Sequence, residues 1–504
     1  MEKSIIYYLE NTIKKHGDKK AFVENVDKYI TYNDFGKRSK IIATNILKNY
    51  DLKNKPIAVF IDKSIDTLVS MFGILYSGNF YCIFDTLSPK NRIDNIVNTL
   101  KPELILTNDK NYDKIKEFNY DIDIINIDKI NNKVDEKLLA KVEEYRCDKD
   151  VAYALFTSGS TGVPKGSIIT HSSLISYVKW FKSTFDITSK TIFGNQTPFY
   201  FSMSVSDIYS TIMSGATFCI IPKINFSFPV KLMDYLNTYK INTIYWVPSA
   251  LSIVANLGTF DYVKPKYLKK VLFAGESMPM PQLNIWRRAL PKVLFANLFG
   301  PTETTDICTY YVVNRPFKDN ESLPIGIACE NSQVILVNED NKECAYGEVG
   351  EIYVKGNIVG SGYYNNHEKT EAAFVQNPVN DSFIEIVYKT GDLAKYNKYG
   401  ELEYLGRKDF QIKHMGYRIE LGEIETNINA LKGLTICACI YKNDNIVLYF
   451  ESNTLSVEDV ISFANKKLVK YMRPTKVIKL PKMPYNANGK IDRVKLKDMF
   501  EEGK

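Results

Sequence analysis

Short apolar runs separated by polar turns pattern the N-terminal part of the chain: KPIAVFID, FYCIFD, ELILTND, TFCIIP, NTIYWVP, KKVLFAGE and KVLFANLFG. Each is too evenly apolar for a half-exposed strand and too short for a helix, so the runs predict buried parallel strands. Stretches with helical spacing lie between them, and the alternation predicts an α/β fold whose ligands gather at strand carboxyl ends. The opening MEKSIIYYLENTIKKHG mixes apolar residues with Glu10, Asn11, Lys14 and Lys15, which suits an amphipathic helix and not a signal peptide. Thr67 to Phe84 is the most apolar window, yet Ser70, Gly73, Ser77, Gly78 and Asn79 interrupt it, so a helix feeding a buried strand is predicted in place of a membrane span.

After about Glu321 the pattern changes. SQVILVNED, GEVGEIYVKG and GELEYLGRKD alternate and are parted by glycine and asparagine turns, as in a β-rich subdomain. A further shift falls near Arg407 to Gln411. Beyond it LTICACIYK and DNIVLYFE read as strands and VEDVISFANKKLVKYM as a helix, a small α+β unit. The predicted division is a large domain over residues 1–408 and a small mobile one over 409–504.

Charge and cysteines narrow the class. The 504 residues carry 65 basic and 58 acidic side chains, a net +7 with no block of like charge, so neither nucleic acid nor a membrane surface is an expected partner. The eight cysteines form no CxxC pair and have no nearby histidine to complete a zinc set, which predicts free thiols in a reducing, cytoplasmic setting.

Candidate chemistry begins with YALFTSGSTGVPKGSIITH, Tyr153 to His171, a glycine- and hydroxyl-rich loop after an apolar strand. Gly159, Gly162 and Gly166 let the backbone curl inward, Thr157, Ser158, Ser160 and Thr161 add donors, and Lys165 adds a positive charge, so the loop reads as a phosphate cradle. It is not the P-loop of NTPases, because Pro164 precedes Lys165 and Gly166 follows it.

That spelling resembles the signature of the adenylate-forming superfamily, which contains acyl-CoA synthetases, luciferases and the adenylation domains of nonribosomal peptide synthesis. Further segments match in order, so the resemblance covers nearly the whole chain: YSGNFYCIFDTLSPKNRI, NLFGPTETT, GYYNNHEKTEAAF, YKTGDLAKY, GRKDFQIKHMGYRIELGEIE and PYNANGKIDR. It is strongest toward stand-alone adenylation domains and D-alanine carrier-protein ligases. In NLFGPTETT, with Asn297, the resemblance makes Phe299 the ring that stacks on adenine, Thr302 an α-phosphate contact and Glu303 the ligand of Mg²⁺. It makes Asp392 the acceptor of the ribose hydroxyls, Arg407 a second ribose and phosphate contact, Asp409 a hinge, Gly416 a lining of the thiol passage and Lys490 the principal catalytic residue.

The implied reaction has two halves. An acid and ATP give acyl-AMP and pyrophosphate, and a thiol then displaces AMP to give a thioester. No carrier domain follows Lys504, so the expected thiol is the phosphopantetheine of a separate carrier protein, with free coenzyme A as the alternative. A non-catalytic nucleotide-binding protein is the remote alternative, and it would be expected to lack Glu303, Asp392 or Lys490, all of which are present.

The acid is read from TPFYFSMSVSD. Where amino-acid-activating relatives carry an Asp that pairs with the α-ammonium, this chain has Ser202. A neutral hydroxyl does not compensate the desolvation of an ammonium, so either the substrate lacks an α-amine or another carboxylate replaces the partner, and Asp306 is the candidate. The other positions that match the family's pocket are Met203, Ser206, Tyr245 or Trp246, Leu272, Ala274, Leu298 and Ile307, which predict a mostly apolar pocket with an aromatic wall. An aryl acid, an aliphatic acid and an amino acid with its amine displaced toward Asp306 all fit.

Overall fold

A computed structural model describes residues 2–159, 163–485, 491–501 and 503. The chain divides into two compact units: a larger one from residues 1–86, 99–155 and 166–408, and a smaller one from residues 87–98, 156–165 and 409–504.

The predicted apolar runs are strands. Pro56–Phe60, Phe80–Ile83, Leu104–Thr107 and Thr243–Trp246 are buried at every position, because both faces of their parallel sheets are covered. They fall into a six-stranded and a nine-stranded sheet, while the alternating runs after Glu321 form a five-stranded one. In the nine-stranded sheet Ile192–Asn195, Thr217–Ile220, Thr243–Trp246, Lys270–Ala274 and Leu294–Phe299 run parallel, and Thr309–Val312 adds antiparallel at Leu294–Phe299.

The apolar window is the helix Ile65–Tyr76 followed by the strand Phe80–Ile83, as its interruptions predict. Ser64 caps the helix, and a Cβ at Gly73 would stand 2.7 Å from Ile42 Cβ, so glycine permits close approach to the helix Tyr32–Asn49. Among the described residues no helix is long and apolar enough to cross a membrane. All eight cysteines are free, and six are buried.

In the smaller unit Ile436–Lys442 and Asn445–Glu451 form a hairpin, with Lys476–Leu480 added in parallel. Its tight turn has Asn443 and Asp444 at φ 50° and 58°, the primed geometry that matches strand twist. The helix predicted over VEDVISFANKKLVKYM is shorter than its pattern. Val457–Lys467 starts on a Ser456/Asp459 capping box and stops where Leu468 turns extended, leaving Lys470–Met472 as a separate 3₁₀ turn.

Candidate active site

The strand Leu294–Phe299 delivers the loop that carries Thr302 and Glu303. Gly300 lets the loop fold back on itself, since a Cβ there would meet Asp306 O at 2.4 Å and Ile307 Cα at 2.5 Å. Cys308 N–H closes the loop on Phe299 O at 2.8 Å. At its far end Thr305 has φ 69° and ψ −49°, and Asp306 N–H donates to Thr304 O at 2.8 Å, a γ-turn of the rare, strained hand. Thr305 Oγ1 donates to Ile358 O at 2.7 Å and Tyr153 Oη to Thr305 O at 3.3 Å, which holds the turn in place. Glu303 is fully buried, and Oε1 accepts from Tyr363 Oη at 2.7 Å. Asn297 is fixed by Nδ2 donating to Pro324 O at 2.8 Å, and the Phe299 ring lies 5.6 Å from that of Tyr404.

In the same unit Asp392 and Arg407 face each other in register on the strands Ile386–Tyr396 and Leu402–Arg407. Arg407 Nη1 lies 3.0 Å from Asp392 Oδ2 and donates to Thr390 O at 3.1 Å. Asp392 is 2% exposed, yet Oδ1 has no hydrogen-bond partner among the described residues. A buried carboxylate oxygen without a donor is costly, and the ribose hydroxyls of a nucleotide are donors of the required kind.

Residues 156–159 and 163–165 belong to the smaller unit. Thr157 Oγ1 is buried without a hydrogen-bond partner among the described residues, and Ser158 Oγ donates to Arg418 O at 2.7 Å while accepting from Glu420 N–H at 3.1 Å. Gly159 N–H donates to Glu423 Oε2 at 3.3 Å, so an anionic oxygen already sits on one donor of the loop. Glu423 is paired with Arg92, and its carboxyl is pushed up mainly by burial. A Cβ at Gly159 would meet Val163 O at 2.0 Å. Lys165 opens the strand Lys165–Thr170. Ser160, Thr161, Gly162 and Lys490 lie outside the described residues. Asp409 Oδ1 accepts from Gln411 N–H at 3.2 Å, and Gly416, with φ 80°, shares with Met415 the turn of the hairpin Gln411–His414 and Tyr417–Glu420.

The acid-pocket positions gather in the larger unit. Tyr245 pairs in register with Leu272, Leu272 with Ala296 and Ala274 with Leu298, so Tyr245, Leu272, Ala274 and Leu298 share one sheet face. Trp246 points the other way: Nε1 donates to Gly194 O at 2.7 Å and its ring packs on Phe226, which removes it from the pocket and leaves Tyr245. Ser202 stands at the N-cap of the helix Met203–Ser214 without capping it, and Oγ accepts from Thr302 Oγ1 at 3.3 Å. Met203 and Ile307 are buried beside these positions in the chain.

A polar cluster stands among these positions. Asp306 is 2% exposed, and its Oδ2 accepts from Ser206 Oγ at 2.8 Å, Tyr245 Oη at 3.0 Å and Tyr177 Oη at 3.1 Å. Burial raises the Asp306 carboxyl to about 6 against the pull of these hydroxyls and of Ser202, and burial also pushes the Tyr177 and Tyr245 phenols well up. Tyr177 and Tyr363 were not among the sequence candidates. Tyr363 lies within the family-like GYYNNHEKTEAAF, whereas Tyr177 sits in an ordinary helical pattern, 129 residues from Asp306, and carries no sequence signal.

No group of three or more acidic, histidine or cysteine side chains forms a metal cage among the described residues.

The family described as AMP-binding enzyme matches residues 9–364. Bacitracin synthase 1 of Bacillus licheniformis is 30% identical over 500 residues, covering 97% of this chain and 9% of that protein. This chain therefore spans about a tenth of that relative's length. Zwittermicin A synthase ZmaJ of Bacillus cereus is 29% identical over 479 residues, 92% of this chain and 89% of that protein. Among solved structures, the Vibrio cholerae adenylation domain AlmE in complex with glycyl-adenosine-5'-phosphate superposes with TM-score 0.85 at 20% identity, covering 99% of this chain and 98% of that one.

Proposed function

Since the chain belongs to the AMP-binding enzyme family, we propose that it condenses a carboxylic or amino acid with ATP to acyl-AMP and transfers the acyl group to the phosphopantetheine thiol of a separate carrier protein. The observation that carries the first half is Asp392, buried, charge-paired to Arg407 through one oxygen and lacking a donor at the other among the described residues. A ribose supplies that donor. Phe299 offers a ring to adenine, and Thr157, Ser158 and Gly159 offer hydroxyl and N–H donors to phosphate.

Thr302 and Glu303 sit on one 3₁₀ turn, and Thr302 touches Ser202, so the turn links the nucleotide end of the site to the acid pocket. Bound at Glu303, Mg²⁺ would offset the negative charge that an incoming carboxylate has to approach. Lys490 serves the same end at the pentavalent phosphorus, where negative charge gathers as pyrophosphate leaves. The small domain then turns about Asp409, withdrawing Lys490 and presenting the Gly416 side to the incoming thiol.

Bacitracin synthase 1 and zwittermicin A synthase ZmaJ match over nearly all of this chain, and a solved structure of similar fold is described as containing adenylation and PCP domains, which supports a carrier-bound thiol. Mass spectrometry of reactions with ATP, an acid panel and either a phosphopantetheinylated carrier protein or coenzyme A tests this half. A thioester on the carrier is expected, and acylation of coenzyme A alone would refute it.

A further inference from the structure

Two neighbouring residues of the glycine-rich loop are engaged by one stretch of the smaller unit. Ser158 Oγ donates to Arg418 O at 2.7 Å and accepts from Glu420 N–H at 3.1 Å, so its proton and one lone pair are both used. Further along, in the first turn of the helix Leu421–Asn429, Glu423 turns its carboxylate toward the loop, and Oε2 accepts from Gly159 N–H at 3.3 Å.

An acidic side chain in the first turn of a helix commonly favours that helix's own N–H groups. Glu423 instead directs its two oxygens to distant parts of the chain: Oε1 pairs with Arg92 Nη1, and Oε2 takes Gly159 N–H. Glu423 is 3% exposed. A carboxylate so buried is held only with a partner charge, which Arg92 supplies, and Gly159 adds a directed donor.

A fixed cation beside an inward backbone N–H is also how proteins hold phosphate oxygens, so the carboxylate occupies a place suited to an anion. Thr157, two residues before Gly159, has a hydroxyl buried with no hydrogen-bond partner among the described residues. A buried donor of this kind is costly, and it fits a ligand with more acceptor oxygens than the carboxylate now on the loop. One N–H does not serve two anions at full strength, and two anions at hydrogen-bond range repel each other. A phosphate chain and Glu423 therefore exclude one another at Gly159.

We propose that Glu423 is a built-in stand-in for a nucleotide phosphate: anchored by Arg92, it holds Gly159 N–H, and pyrophosphate or the phosphate chain of ATP binds there only by displacing it. This rests on the adenylation reading given above. Its consequence for that reaction is directional. With Glu423 on the loop, pyrophosphate that has left is kept from returning, and acyl-AMP is protected from reversal while the thiol attacks.

The test is equilibrium binding of ATP, inorganic pyrophosphate and adenosine to the full chain, measured by calorimetry. Adenosine has no phosphate, so it reports the nucleoside half of the site alone. Glu423→Gln keeps the side chain's shape and removes its charge. It should tighten ATP and pyrophosphate by about 10-fold, the worth of a charged hydrogen bond, and leave adenosine unchanged. Glu423→Ala, which also removes the acceptor and opens space for water at Arg92, should show at least as large a gain. Unchanged or weaker pyrophosphate binding in either variant, with adenosine still bound, overturns the proposal. So does a gain that adenosine shares, since that marks a general loosening and not a competition between anions. If neither the wild type nor a variant binds ATP or adenosine, the adenylation reading falls, and this proposal with it.

Discussion

Replacing Asp306 by Asn gives a stability difference that depends on pH in a direction the structure sets. Burial raises this carboxyl from 3.8 to about 6, so ionising it costs folding free energy. The contribution is sign-definite: stability is full below about 3.8, where the group is protonated in both states, and is lost as pH rises through about 6. The full loss is about 3 kcal/mol, of which about 1.4 kcal/mol accrues between pH 5 and pH 8. Asn does not titrate, so the stability of the variant relative to the wild type should rise by about that amount over the same interval. Other titratable groups near Asp306 are Tyr177, Tyr245, Tyr153 and Cys329, all pushed well up and neutral throughout. Asp207, raised to about 7 by burial, titrates in both proteins and enters the difference only as far as the substitution moves its own titration. Urea denaturation of both proteins at pH 5 and pH 8, followed on the transition of the larger unit, measures it. A difference that stays flat, or that falls with pH, would refute the claim that a desolvated carboxylate sits in this hydroxyl cluster.

Other positions give independent outcomes. Asp392→Asn should raise KM for ATP by about 10- to 100-fold, the worth of a charged hydrogen bond, and unchanged KM would remove Asp392 from the nucleotide site. Gly300→Ala places a Cβ 2.4 Å from Asp306 O and 2.7 Å from Cys308 N, both backbone, so a loss of about 3 kcal/mol in stability and most of the activity is expected. A thermal melt and an exchange assay like those of the wild type would show that the loop needs no glycine there. Lys490→Ala should slow adenylate formation by about 10²–10³ while still transferring acyl groups from supplied acyl-AMP, and equal loss of both steps would contradict domain alternation.

Much of the scaffold is legible because parallel strands buried on both faces have to be continuously apolar, as in NTIYWVP and KKVLFAGE. The Asp392 and Arg407 candidates were reached by resemblance, and the structure adds that they are cross-strand partners. Side-chain direction was not legible. Tyr245 and Trp246 are equally aromatic neighbours, and only the pairing of Tyr245 with Leu272 and Asn195 shows which face it takes. The hydroxyl cluster was hidden for a related reason: its members come from elements far apart in sequence, and a tyrosine in a helix looks like ordinary core. Thr305 was hidden by its own chemistry, since a β-branched residue argues against the left-handed turn it adopts.

The most direct test of the central claim is ATP-dependent pyrophosphate release, trapped with hydroxylamine, across acids of every class. Release that requires both Mg²⁺ and a particular acid, with the matching hydroxamate as product, is expected. ATP turnover that ignores the acid supplied, or binding of ATP with no pyrophosphate released for any acid, would contradict it.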